Sequence, residues 1–96
     1  MTDRPPADSH SKTPSPALIE QRIVALLDAR AASASICPSE VARALVEDEA
    51  GWRALMPTVR QVAADMQDAG TLRITRGEDD VDRSMLDHGP IRLRRR

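Results

Sequence analysis

Six arginines stand near the carboxy end with no acid among them: Arg73 and Arg76 within residues 71–76, and Arg92, Arg94, Arg95 and Arg96 within residues 91–96. A guanidinium is planar, permanently charged and carries five donors, so a cluster of them is suited to contacting phosphate. Upstream, Arg60 and Gln61 are side chains able to hydrogen-bond base edges. The plain alternative is that strand arginines only solvate the outer face of a sheet and that a terminal Arg-Arg-Arg frays.

Other reactive residue types are sparse. Cys37 precedes Pro38 at a predicted helix start, where the helix dipole can favour a thiolate. Catalysis would need a base, and neither His10 nor His88 is near it in sequence, so a small buried residue is the better reading, with a thiol or small-ligand sensor as the weak rival. One cysteine and two histidines show no metal-ligand spacing, and no glycine-rich phosphate loop or serine elbow occurs. The expectation is therefore no enzyme, no cofactor and no metal. Arg43, Arg53 and Arg60 would form an anion pocket only if they converge, which for Arg53 and Arg60 requires a helix running straight through Pro57; pairing with Glu47, Asp48, Glu49 or Asp65 is the simpler outcome. Trp52 suits an interface anchor, but with Leu55 and Val59 on its face it reads as core.

The chain that must position these groups has 96 residues, enough for one small domain. Its net charge of −1 rules out a global field drawing it to a polyanion or membrane, so any such attraction must be local. Apolar runs fall far short of a membrane span and the start is not a signal peptide, which together with the single cysteine points to a reducing, cytoplasmic setting. Trp52 is the sole aromatic, which excludes base stacking across an aromatic-studded sheet.

Residues 1–14 are proline-rich and polar and are expected to be a disordered tail, leaving 15–96 as the domain. Ser15-Pro16 predicts a helix start, and Ile19, Ile23, Leu26 and Leu27 share one face. Ile36 is an isolated extended residue before a second helix over about 38–47, which buries Val41, Ala42 and Leu45. Trp52, Leu55, Val59, Val62, Ala63 and Met66 follow a helical period ending at Gly70, with a break expected near Met56 so that the main helix spans 57–69 and Trp52 to Leu55 form a preceding turn. After Gly70 the period becomes two: Leu72 and Ile74 alternate with polar residues, as do Ile91 and Leu93, predicting two antiparallel strands. Between them, residues 77–90 set one arginine against five acids and read as a solvated loop, with Val81, Met85 and Leu86 able to dock its base. The order predicts a mainly α (α+β) winged helix-turn-helix, three helices with a two- to three-stranded β-hairpin wing, Ile36 adding the short third strand beside the hairpin.

The segments Ser35-Ile36-Cys37-Pro38-Ser39-Glu40-Val41-Ala42-Arg43, Trp52-Arg53-Ala54-Leu55-Met56-Pro57-Thr58-Val59-Arg60 and Gly89-Pro90-Ile91-Arg92-Leu93-Arg94 resemble a family of small bacterial proteins known only as a domain of unknown function. The resemblance covers roughly residues 17–95 and implies a winged-helix fold without implying an activity. Some relatives carry a cysteine-rich, zinc-binding-like segment ahead of the domain, which this sequence lacks.

On a winged helix the 57–69 helix would enter a major groove while the hairpin touches backbone or minor groove, giving DNA binding through Arg60, Gln61, Arg73, Arg76, Arg92 and Arg94. Against this, the exposed positions of that helix hold Arg60 beside Asp65 and Asp68, and the loop is acidic. The alternative is a protein-interaction or accessory module, with the same arginines meeting an acidic partner or a second copy of the chain.

Overall fold

The computed structural model describes residues 14–31, 33–86 and 89–96. Most of the expected tail lies outside the described residues, as do His10 and His88.

Helix α1, Pro16–Asp28, begins where Ser15 and Pro16 predict: the Ser15 side chain accepts the Leu18 N–H at 3.2 Å, and Ile19, Ile23 and Leu27 are buried. Strand β1, Ser35–Ile36, leads into α2, Pro38–Leu45, whose start is tied by Glu40 Oε2 accepting the Cys37 N–H at 3.0 Å. The helix ends two residues before the expected 47, because Val46 is already extended.

Helix α3 runs unbroken from Glu49 to Asp68, correcting the expected start at 57 and the break near Met56. Pro57 is exposed, so the interruption sits at the surface of α3 and not in the core. That interruption costs about 3 kcal/mol. Leu55 and Val59 are buried on either side of it, and each such side chain contributes about 1.5–3 kcal/mol, so packing holds the rod together. Only residues 46–48 separate α2 from α3. A Cβ on Gly51 would lie 2.5 Å from Val46 Cγ1, so this approach needs glycine.

Strands β2, Leu72–Arg76, β3, Asp79–Asp80, and β4, Arg92–Arg95, complete an antiparallel sheet of order β1-β4-β2-β3. The pairing of β2 with β4 and of Ile36 with Leu93 agrees with the sequence reading. The acidic strand β3 was not expected; it pairs with the end of β2 across a turn in which Gly77 takes φ +62°, the glycine-favouring region used by tight hairpins. Residues 81–86 are also more ordered than a solvated loop: Val81 and Leu86 are buried around a 3-10 turn at Arg83–Met85, while Met85, also expected to dock, stays exposed. Three helices followed by a four-stranded sheet give a winged-helix-like α+β layout, with Leu72, Ile74, Leu93 and Ile36 buried in the core.

Candidate nucleic-acid interface

Strand alternation sorts the arginines. Leu72, Ile74 and Leu93 enter the core, so Arg73, Arg92 and Arg94 stand on the other, outer face of the sheet. The register sets Arg73 directly opposite Arg94, a like-charge pair that destabilises a sheet unless it is offset. Arg73 turns towards β3, where Nε and Nη2 donate to Asp80 Oδ1 at 3.1 and 2.8 Å. Arg94 donates from Nε to Thr75 Oγ1 at 3.2 Å and from Nη1 to the Ser33 carbonyl at 3.1 Å. Thr75, on the outer face yet only 1% exposed, is thus covered by arginine. Arg92 donates to Ser35 Oγ at 2.8 Å and to the Ser35 carbonyl at 3.1 Å.

These contacts brace all three guanidinium groups while engaging two of the five donors of each. Arg73 meets a carboxylate; the partners of Arg92 and Arg94 in these bonds are neutral oxygens, and Arg92 also lies within electrostatic reach of the Glu40 carboxylate. Arg92 and Arg94 are two residues apart on one strand, about 6.8 Å.

The remaining expected site residues lie elsewhere. Arg76 reaches back to the wing, donating to the carbonyls of Pro90 at 3.2 Å and Met85 at 3.0 Å, so it braces that segment and does not join the outer-face group. Gln61 is exposed on α3, and Arg60 is half-buried with its Nε shielded from solvent. Arg60 and Gln61 thus stand on α3, and Arg73, Arg92 and Arg94 on the sheet.

The acids expected to repel a polyanion from α3 are bound within the fold. Arg83 Nη2 donates to Asp65 Oδ1 and Asp68 Oδ2, both at 2.7 Å, and these carboxylates, Asp68 foremost, raise the arginine's pKa. Gln67 adds a second tie, donating to the Val81 carbonyl at 2.9 Å and accepting the Ile74 N–H at 2.8 Å. The segment 81–86 is therefore strapped to the C-terminal half of α3. Sequence reading placed Arg83 in a loop and gave no sign of this contact, which joins residues 15 and 18 positions apart.

At the α2–α3 turn, Arg43 and Arg53 both approach the half-buried Trp52, 4.8 and 5.2 Å from the ring centroid. Arg53 also pairs with Glu49 at 2.7 Å, one of the acids the sequence offered. The unbroken helix sets Arg53 and Arg60 seven residues apart on one face, and of the ion pairs the sequence offered Arg53–Glu49 is formed. Cys37 is half-buried, and its Sγ accepts the Ser39 hydroxyl at 3.2 Å. Among the described residues no group of three or more His, Cys, Asp or Glu could hold a metal ion, and no helix is long and apolar enough to cross a membrane.

Comparison with curated proteins gives no match. Residues 16–96 match the family model described as "Protein of unknown function (DUF3253)", in agreement with the resemblance carried by the three motifs. With nearly all of its length covered, including every helix and strand of the domain, the chain belongs to the DUF3253 family.

Proposed function

We propose that this domain binds double-stranded DNA through its phosphate backbone, with little base specificity, using the outer face of the sheet and not the third helix. The observation that carries the reading is the in-register group Arg73, Arg92 and Arg94, braced by neighbouring oxygens with most of their donors unengaged. Bracing lowers the entropy lost when an arginine engages a phosphate. The lack of stacking aromatics and the strapped C-terminal half of α3 both favour backbone contact over base reading. Arg60 and Gln61 have no part in this mode, and Arg76 supports it only by holding the wing.

The test is fluorescence anisotropy with a mixed-sequence duplex over a salt series. Three phosphate contacts give a slope of about −2.7 in log K against log salt, at about −0.9 per phosphate. Replacing Arg92 and Arg94 together by Gln should bring that slope to about −0.9, with circular dichroism confirming a folded domain. No association of the parent at low salt refutes the proposal. That result would favour the second reading, an acidic protein partner on the same arginines, which the strapped third helix also suits.

A further inference from the structure

Helix α1 carries apolar side chains on both sides, with Gln21 and Asp28 beside those of the outer face. Ile19, Ile23 and Leu27 are buried, while the opposite face carries Ala17, Leu18, Gln21, Val24 and Ala25. Leu18 and Val24, 42% and 39% exposed, are two of the three large apolar side chains left exposed among the described residues.

Three cavities border this face. One of about 570 Å³ lies along it, lined by Ala17, Val24 and Ala25 and equally by Glu20, Gln21 and Asp28. A second of about 290 Å³ separates its N-terminal half from the end of α3, at Val62, Met66 and Ala69. A third of about 250 Å³ separates its C-terminal half from β2 and β4, at Leu27 and Leu72. Shared walls, among them Ala17, Val24 and Met66, join them into one groove that follows α1 for about 20 Å, the length of its 13 residues.

The groove is polar in the charge sense. Glu20 borders the end at the start of α1, beside an Asp65 whose charge Arg83 already meets. Arg95 and Arg96 border the other end, where Asp28 meets Arg95 only at 3.7 Å. A partner fitting it must present an apolar helix that is basic at the acidic end and acidic at the basic end, and this chain turned end for end does so.

We propose that this groove is a homodimer interface, in which two copies pack their α1 helices antiparallel about a two-fold axis, so that Glu20 of each copy faces the Arg95 and Arg96 end of the other. The contact is isologous, one patch meeting itself, as a closed dimer requires. Arg73, Arg92 and Arg94 lie on the opposite side of the sheet from α1, so the pairing leaves them open and stands independently of DNA binding.

Analytical ultracentrifugation at low salt, from about 1 to 300 μM, tests it. The parent should dimerise reversibly. Val24→Glu, at a position outside the core, should weaken association at least tenfold while the circular dichroism spectrum and melting temperature stay those of the parent. Glu20→Arg and Arg96→Glu should each weaken self-association, and an equimolar mixture of the two should associate more tightly than either alone, because one end of the mixed dimer keeps Glu20 against Arg95 and Arg96 and the other sets the introduced arginine against the introduced glutamate. A parent that stays monomeric over the range, a Val24→Glu variant that associates as tightly as the parent, or a mixture no tighter than its components would each overturn the proposal.

Discussion

Gly51→Ala probes the contact that sets α2 against α3. In an exposed helical turn this change stabilises by about 1 kcal/mol through helix propensity. Here the new Cβ would stand 2.5 Å from Val46 Cγ1 and 2.8 Å from Asp48 Oδ1. Val46 is half-buried and β-branched, so it has little freedom to move aside, and overpacking of this kind costs about 1–3 kcal/mol. Asp48 is the N-cap of α3, its side chain accepting the Gly51 N–H at 2.8 Å, and displacing it forfeits about 1 kcal/mol more. The net expectation is a loss of about 1–3 kcal/mol, which in a domain of this size lowers the melting temperature by roughly 4–8 °C per kcal/mol. Urea denaturation followed by circular dichroism measures it, and Val46→Ala provides the control: with Cγ1 removed, the penalty for Gly51→Ala should fall by more than half. Equal or greater stability of Gly51→Ala in the parent background would refute this account of the turn.

Two further expectations address the wing and the start of α2. Leu86→Ala should cost about 2–3 kcal/mol because the side chain is buried, whereas Met85→Ala beside it should change stability by less than about 0.5 kcal/mol; equal effects in denaturant titrations would mean that residues 81–86 do not dock. Arg30, bonded to Glu40 Oε1 at 2.7 Å, and the Cys37 N–H hold the Glu40 carboxyl below its ordinary 4.5. Because the folded value is the depressed one, this stabilisation is present above about pH 4.5 and is lost as pH falls through the lower folded value. Glu40→Gln, which keeps an oxygen for the Cys37 N–H, should flatten the acid limb of stability against pH; an unchanged limb would show that Glu40 is not its source.

Local signals made most of the architecture legible. Ser15-Pro16 and Gly70 mark helix ends through the backbone demands of those ends, and the change of period after Gly70 marks β2 through strand alternation. Pro57 misled because its cost is local whereas the compensation from Leu55 and Val59 depends on what α1, α2 and the sheet bring against them. Strand β3 was hidden for a similar reason. Asp79-Asp80 has poor strand propensity, and what places it there is the Gly77 turn and the Arg73 guanidinium on the neighbouring strand. Of the site, the shared face of Arg73, Arg92 and Arg94 followed from alternation alone, whereas the diversion of Arg76 to two carbonyls required the path of the wing.

Charge in this domain is arranged by pairing, which the total of −1 conceals. Arg83 takes two acids on α3, Arg30 takes Glu40 and Arg53 takes Glu49, so these cations are matched within the helical half and its strap. Arg83 offsets one of the two charges that made the third helix look hostile to a polyanion, which halves their long-range repulsion without removing it. At about 8–10 Å, the screening length near physiological salt, an approaching phosphate senses the nearest side chains and not the total. On the outer sheet face those are Arg92 and Arg94 on neutral oxygens and Arg73 on a single carboxylate, a local excess of positive charge on a nearly neutral chain. That excess is small, three guanidiniums with Asp80 bound to Arg73 and Glu40 within reach of Arg92, so any affinity it confers must be weak and steeply salt-dependent, and a two-fold pair of such faces would gain more by avidity than either could alone.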